Sequence, residues 1–257
     1  IGGTEFANRP LLWRKKLRIR ESHDSVLRYI ALEPEGYDGS HSYPMVILLH
    51  GFGSHMRDLA NLCPSLGHSD YVYICPNAPI SIPLGHGMNG FAWAQLDSRM
   101  ARKQMTDSQN MIQSFVREVM LKYRVSPGDV VLGGFSQGGM MAYNCGLVEP
   151  SIFRGILILS SRIVGRAGLK QRLPLDRSQP IFIAHGIHDE VIPVADARKS
   201  LQFLKDESYN PQYMEYEIGH EINQAVTGDA SRWLHEVLPS ESRVLHKENG
   251  EEQSAGK

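Results

Sequence analysis

The amino-acid sequence predicts an α/β fold built on a doubly wound, mostly parallel sheet. Segments with helical spacing alternate with continuous apolar runs of strand length, which occupy 45–49, 71–75, 130–132, 155–159 and 180–184. Continuous apolar runs are typical of parallel strands buried on both faces, and regular alternation of strands and helices is typical of a doubly wound domain. Neither a change in composition nor an internal repeat divides the chain of 257 residues, so one domain is expected over 10–238.

An antiparallel edge hairpin is predicted ahead of the parallel strands, from short β-like runs at 17–20 and 26–32. Residues 1–9 lack the basic and apolar regions of a signal peptide, and we interpret them as a cloning remnant or a disordered segment. Residues 239–257 are charged and have no apolar face, so a disordered tail is expected there.

Helices are predicted at 56–66 and 101–124, the second from the helical spacing of its apolar residues. Between them, 76–96 is predicted to be a long loop rich in proline, glycine and asparagine. Long loops inside a compact domain are usually functional. The apolar side chains of this loop therefore either line a substrate pocket or anchor the loop on the domain. The candidates for the pocket are Leu84, Met88, Phe91 and Trp93 from this loop, and Ile192 from the loop after the strand at 180–184.

The last part of the chain continues the alternation. Residues 161–179 are irregular and basic, and are interpreted as a solvated excursion. A helix at 194–208, a strand at 213–218 and a final helix at 222–237 follow.

Composition and charge exclude several classes of function. The chain has 27 basic and 28 acidic residues and a formal charge of −1, which gives no electrostatic basis for binding nucleic acid or an anionic membrane. No apolar run reaches the roughly 18 residues of a transmembrane helix. Cys63, Cys75 and Cys145 lack the spacing of a disulfide framework or a zinc site, so buried thiols in a reducing, cytoplasmic compartment are expected.

The segment Gly134-Phe135-Ser136-Gln137-Gly138 lies between an apolar strand and a stretch compatible with a helix to about Val148. A Gly-x-Ser-x-Gly sequence in that context predicts the nucleophile elbow of an α/β-hydrolase, in which two glycines permit a sharp turn and the serine stands at its tip. The alternative is a glycine-rich turn with an incidental serine.

A serine hydroxyl needs a histidine to take its proton and a carboxylate to orient that histidine. In α/β-hydrolases the chain order is serine, acid, histidine, and each residue follows a strand. His220 follows the strand at 213–218 and Asp189 follows the strand at 180–184, so we expect a triad with Ser136. Among the rivals, Asp176 precedes its strand, Glu190 is expected to point away, and His50 and His86 precede the serine.

The oxyanion of the transition state needs two backbone N–H donors. We assign them to Gln137, which follows the nucleophile, and to Phe52, in the loop after the strand at 45–49.

Two further motifs suggest other interpretations. Gly51-Phe52-Gly53 suggests a dinucleotide-binding loop, but Met56 occupies the position of the third glycine. His185, His188 and Asp189 suggest a metal cluster, but no further ligand lies in a matching position, so no metal is expected.

Four motifs together resemble the phospholipase/carboxylesterase family, which includes the acyl-protein thioesterases. They are Leu48-Leu49-His50-Gly51-Phe52-Gly53, Gly133-Gly134-Phe135-Ser136-Gln137-Gly138-Gly139, His185-Gly186-x-x-Asp189-x-x-x-Pro193 and Gly219-His220-Glu221. The resemblance spans about 43–237 and implies an α/β-hydrolase fold, a Ser136–Asp189–His220 triad and an esterase without a cofactor. The sequence Trp93-Ala94-Gln95-Leu96-Asp97 departs from the family's usual Trp-Phe/Tyr-Asp, which bears on the acyl pocket.

The predicted function is therefore a serine carboxylesterase that acts on small-molecule esters with short to medium acyl chains. An acyl-protein thioesterase or a lysophospholipase is the alternative, since the same tetrahedral chemistry serves all three. A non-catalytic ligand-binding relative and a dehydrogenase are alternatives of other classes. We expect no nucleic-acid partner, no integral membrane association, and a monomer or a homodimer.

Overall fold

A sheet of eight strands forms the centre of the computed structural model, which describes residues 17–67, 69–85, 88–96, 99–239 and 243–244. The strands, in chain order, are β1 (Leu17–Ser22), β2 (Tyr29–Pro34), β3 (His41–Ser42), β4 (Met45–Leu49), β5 (Val72–Pro76), β6 (Ile80–Gly85), β7 (Met88–Ala92), β8 (Val130–Phe135), β9 (Phe153–Leu159), β10 (Ile181–Gly186), β11 (Gln212–Tyr216) and β12 (Arg243–Val244). The helices are α1 (Met56–Leu62), extended by a 3₁₀ turn (Cys63–Leu66), α2 (Ala101–Tyr123), α3 (Gln137–Gly146), α4 (Arg166–Lys170), α5 (Val194–Asp206) and α6 (Gln224–Val237).

The strand order in the central sheet is β1-β2-β5-β4-β8-β9-β10-β11. β1 and β2 pair antiparallel with each other, and β2 pairs antiparallel with β5. From β5 to β11 every neighbouring pair is parallel. The predicted mostly parallel sheet with an antiparallel N-terminal hairpin is therefore confirmed.

Two apolar layers cover the sheet because successive side chains of a strand point to opposite faces. In β4, Met45, Ile47 and Leu49 pack in the layer under α2, α3 and α5. Val46 and Leu48 pack in the opposite layer, with apolar residues of α1 and α6. Burial on both faces explains why this strand is an unbroken apolar run.

The structure differs from the sequence prediction in three segments. The predicted loop 76–96 contains the antiparallel hairpin of β6 and β7, whose register shifts between Pro83 and Gly85. Pro83, Gly85 and Gly90 disfavour strands, which is why their sequence indicated a loop. The irregular segment 161–179 contains the short helix α4.

The third difference lies in the expected tail, 239–257, where Arg243–Val244 form the short strand β12 against β3. Residues 1–16, 240–242 and 245–257 lie outside the described residues, and the domain limits of 10 and 238 stay a prediction. Among the described residues, no helix has both the length and the apolarity to cross a bilayer.

A truncation on the buried face of α2 tests the packing of this helix on the sheet. Phe115 is fully buried and packs edge-on against Tyr29, with ring centroids 5.3 Å apart. We expect Phe115→Ala to lower the free energy of unfolding by about 3–5 kcal/mol, because it leaves a cavity. Leu121→Ala, at an 81% exposed position of the same helix, is the control and should cost less than about 0.5 kcal/mol. Urea unfolding measures both, and equal losses would contradict the packing.

Candidate active site

Ser136 occupies a strained turn between β8 and α3. Its φ of 54° lies in the left-handed region, which is uncommon for a residue with a side chain. A Cβ at Gly138 would collide with the carbonyl oxygen of Leu49, and one at Gly134 would collide with the backbone of Gly138. The turn closes because both positions are glycine, and the Ser136 N–H donates to the carbonyl oxygen of Leu159 at 3.0 Å.

The three residues predicted as a triad form one chain of hydrogen bonds. The Ser136 hydroxyl lies 2.9 Å from Nε2 of His220, and Nδ1 of His220 lies 2.7 Å from Oδ2 of Asp189. With the Nδ1–H donating to the carboxylate, Nε2 is the acceptor of the serine proton. Ser136 and Asp189 are buried, whereas the His220 side chain keeps 17% of its surface exposed.

Asp189 is oriented by its own loop. Its Oδ1 accepts the N–H groups of Val191 at 2.9 Å and Ile192 at 2.8 Å, which leaves Oδ2 for His220. Nε2 of the buried His185 also lies 3.3 Å from Oδ2 and 2.8 Å from the carbonyl oxygen of Ile192. The short turn after β10 therefore fixes the direction of the carboxylate.

The rival acids lie elsewhere. Asp176 is exposed and accepts the N–H of Ser178, and Glu190 is exposed beside Asp189. In the described part of the chain, no cluster of three or more histidine, cysteine, aspartate and glutamate side chains is arranged to hold a metal ion.

Phe52 and Gln137, the predicted oxyanion donors, line the same cavity as Ser136. Gln137 is the first residue of α3, and the first N–H groups of a helix have no partner within the helix. The helix N-terminus also carries a partial positive charge, which favours a developing oxyanion. Phe52 follows β4, the strand that pairs with β8, so its loop lies at the same edge of the sheet.

A cavity of about 650 Å³ opens on Ser136 and His220. Its volume lies within the roughly 300–1,000 Å³ of small-molecule sites. The apolar residues of its wall, besides Phe52, are Leu59, Leu62, Leu96, Phe135, Met140, Val191, Ile192 and Ile222. The polar side chains at its wall, besides Ser136, Gln137 and His220, are Ser54, Asp58, Arg162 and Glu221.

Of the five predicted pocket residues, Ile192 lines this cavity and the other four do not, and their assignment to a substrate pocket stays a prediction. Leu84 and Met88 are exposed on the β6–β7 hairpin, Phe91 packs partly against the core, and Trp93 is fully buried. None of these four lines the cavity. Three cavity-wall residues that the sequence analysis did not name have helical spacing. Leu59 and Leu62 lie one turn apart on α1, and Met140 of α3 follows Ser136 by one turn.

His50 is buried behind the loop that carries Phe52. Its Nε2 accepts the N–H of Ala78 at 3.0 Å, so Nδ1 carries the proton and donates to the carbonyl oxygen of Gly51 at 2.8 Å. Burial lowers the pKa of His50 from 6.5 to about 4. The ring is therefore neutral at neutral pH, and both of its nitrogens hold backbone groups.

Comparisons with known proteins show which family this chain is similar to. The family model described as phospholipase/carboxylesterase matches residues 38–238. An acyl-protein thioesterase 1 of Aspergillus fumigatus is 29% identical over 214 residues, covering 76% of this chain and 88% of that protein. The one of Emericella nidulans is 27% identical over 224 residues, covering 77% and 91%.

Two solved structures share the fold. Esterase PE8 is similar with a TM-score of 0.69 and 27% identity, covering 87% of this chain and 100% of that one. The carboxylesterase of Bacillus cereus is similar with a TM-score of 0.67 and 18% identity, covering 83% and 96%. The predicted α/β-hydrolase fold is thereby confirmed.

The depressed pKa of His50 makes the stability depend on pH with a defined sign. Between pH 6.5 and about 4 the unfolded chain protonates this histidine and the folded chain does not, so stability falls as the pH falls. We expect the loss of unfolding free energy from pH 7 to 4.5 to be about 2 kcal/mol smaller in His50→Gln than in the wild type. Urea unfolding at both pH values measures it. An equal loss of unfolding free energy in His50→Gln and in the wild type would contradict the assignment.

Proposed function

Since this chain belongs to the phospholipase/carboxylesterase family of α/β-hydrolases, we propose that it is a serine hydrolase that cleaves acyl esters and thioesters. The observation that carries the proposal is the hydrogen-bonded chain from Ser136 through His220 to Asp189, open to an apolar cavity. A serine with a base and an orienting acid is suited to acyl transfer.

Acylation begins when Nε2 of His220 takes the proton of the Ser136 hydroxyl and Oγ attacks the acyl carbonyl carbon. The carbonyl oxygen becomes an oxyanion, which the N–H groups of Phe52 and Gln137 stabilise. Asp189 stabilises the imidazolium that forms. The bond to the leaving oxygen or sulfur then breaks, His220 returns the proton to the leaving group, and the acyl group remains on Ser136.

Deacylation repeats these steps with water. His220 takes a proton from a water molecule, whose oxygen attacks the acyl carbon of the acyl-serine. The tetrahedral intermediate uses the same two N–H donors. The bond between the acyl carbon and Oγ of Ser136 then breaks, and His220 returns the proton to Oγ. A carboxylic acid is released, and the residues of this chain supply every proton transfer.

We propose an acyl thioester of a protein as the first substrate class. The relatives in Emericella nidulans and Aspergillus fumigatus, both named acyl-protein thioesterase 1, support it, and the apolar wall of the cavity suits an acyl chain. The second candidate is the carboxylesterase acting on short to medium chains, which the 27% identity to esterase PE8 supports.

Hydrolysis of a matched series of esters and thioesters tests the reaction. The substrates are p-nitrophenyl esters and acyl thioesters of a cysteine peptide, each from acetyl to palmitoyl. We expect Ser136→Ala to lower kcat at least about 10³-fold on every substrate, because the attacking atom is removed. A preference for long acyl thioesters favours the thioesterase, and one for short esters favours the carboxylesterase. A wild type that hydrolyses none of these substrates, or a Ser136→Ala variant as active as the wild type, would contradict the proposal.

A charge placed in the cavity wall tests where the acyl chain binds. Leu96 is 63% exposed and lines the cavity, so Leu96→Asp should leave the core intact. We expect kcat/KM for palmitoyl substrates to fall about tenfold, because the chain then packs against a charge, and for acetyl substrates to change little. The matched control is Leu175→Asp, at a fully exposed leucine that does not line the cavity. Equal losses on both chain lengths would place the acyl chain elsewhere.

A further inference from the structure

Two N–H donors that come from different loops must be held at a fixed separation to stabilise one oxyanion. Phe52 lies after β4 and Gln137 begins α3, so no short stretch of chain connects them. Displacing such a donor weakens the binding of the transition state more than that of the substrate. A residue that contacts both segments is therefore expected to affect turnover without touching the substrate.

Trp93 contacts the Gln137 segment through its backbone. Its N–H donates to Oε1 of Gln137 at 2.8 Å, and Nε2 of Gln137 donates to the carbonyl oxygen of the next residue, Ala94, at 2.7 Å. Gln137 is buried, and both polar atoms of its side chain are hydrogen-bonded to backbone. The side chain thus fixes the first turn of α3 to Trp93.

The indole ring of Trp93 contacts the other segment. Its Nε1–H donates to the carbonyl oxygen of His50 at 2.9 Å, and its ring lies 5.6 Å from the imidazole of His50. That imidazole holds the backbone of Ala78 and Gly51, the residue directly before Phe52. Trp93 therefore fixes the chain two residues ahead of the second donor.

Trp93 is anchored independently of both donor segments. The hydroxyl of Ser108, on α2, donates to its carbonyl oxygen at 2.6 Å. The Trp93 side chain is fully buried and does not line the cavity beside Ser136. It is therefore fixed to the body of the domain, behind the site.

We propose that Trp93 is a positioning residue that sets the separation between the N–H groups of Phe52 and Gln137. The inference rests on the proposed function, since it assigns a role in stabilising the oxyanion of that reaction. Loss of the indole N–H releases the carbonyl oxygen of His50, and the loop that carries Phe52 then relaxes away from α3. Because the ring lies outside the cavity, binding of the substrate in its ground state is unaffected.

Trp93→Phe, which removes the indole N–H and keeps an aromatic ring, is the first test. We expect kcat to fall about 10- to 100-fold with KM unchanged within about twofold, because a displaced N–H donor stabilises the oxyanion less well. The affinity for an alkyl boronic acid, whose tetrahedral adduct on Ser136 occupies the oxyanion position, should fall in parallel with kcat. A rise in KM with an unchanged kcat would overturn the proposal.

Trp233→Phe is the matched control. Trp233 is buried on α6 and packs against Phe182, with ring centroids 5.9 Å apart, and it does not line the cavity. This variant loses the same atoms from the core, so it should destabilise the fold and keep kcat and boronic acid affinity. Equal losses of kcat in the two variants would show that Trp93 acts only through core packing and would contradict the proposal.

Gln137→Met breaks the other end of the connection and keeps the backbone N–H of residue 137. We expect a loss of kcat similar to that of Trp93→Phe, and the double variant should lose little more than either single variant, because both act through one connection. Additive losses would contradict a shared role. If Trp93→Phe does not fold, the kcat of Gln137→Met is the test, and a wild-type kcat in that variant overturns the proposal. Failure of the proposed function is distinct, because the wild type would then hydrolyse no acyl substrate.

Discussion

The close approach of α3 to the edge of the sheet is the constraint on which the rest of the structure depends. The backbone of Gly138 lies against the carbonyl of Leu49, and only a residue without a side chain fits there. This contact bends the chain sharply enough to hold Ser136 at a positive φ, a conformation that costs on the order of 1–3 kcal/mol. Strain of this size persists because the buried strands and helices around it fix both ends of the turn.

The parallel sheet brings the remaining groups to that turn. Parallel strands end at the same edge, so the loops after β4, β8, β10 and β11 open side by side. They carry Phe52, Ser136, Asp189 and His220, which lie far apart in the chain. The distances of 2.9 Å and 2.7 Å along the proposed triad are thus a consequence of the strand order.

The sequence predicted what depends on strand ends and did not predict what depends on side-chain direction. Ser136 and Asp189 each follow a continuous apolar run, and His220 follows an alternating strand, so the sequence predicts that all three lie at one edge of the sheet. The apolar segment around Trp93 predicts that this residue lines the pocket, yet its indole points into the core toward His50. No periodicity encodes that direction, because proline and glycine interrupt the β6–β7 hairpin that precedes Trp93. The hairpin is held by contacts with the loop after β4, such as the bridge between Ser54 and Phe91.

Under the proposed function, the fold separates the cavity wall that receives the acyl chain from the residues that hold the two oxyanion donors. The cavity wall comes largely from α1, α3 and the loops after the strands, in front of Ser136, whereas Trp93 and His50 lie behind it in the core. Because neighbours in a close-packed core relax only partly, a change of a single methylene at Trp93 or His50 is expected to disturb the packing there. The wall is half-exposed at Leu62 and Met140 and accepts changes in volume at lower cost. Under the proposed function, substitutions in the wall residues of α1 and α3 therefore change the acyl-chain preference and leave the oxyanion donors in place.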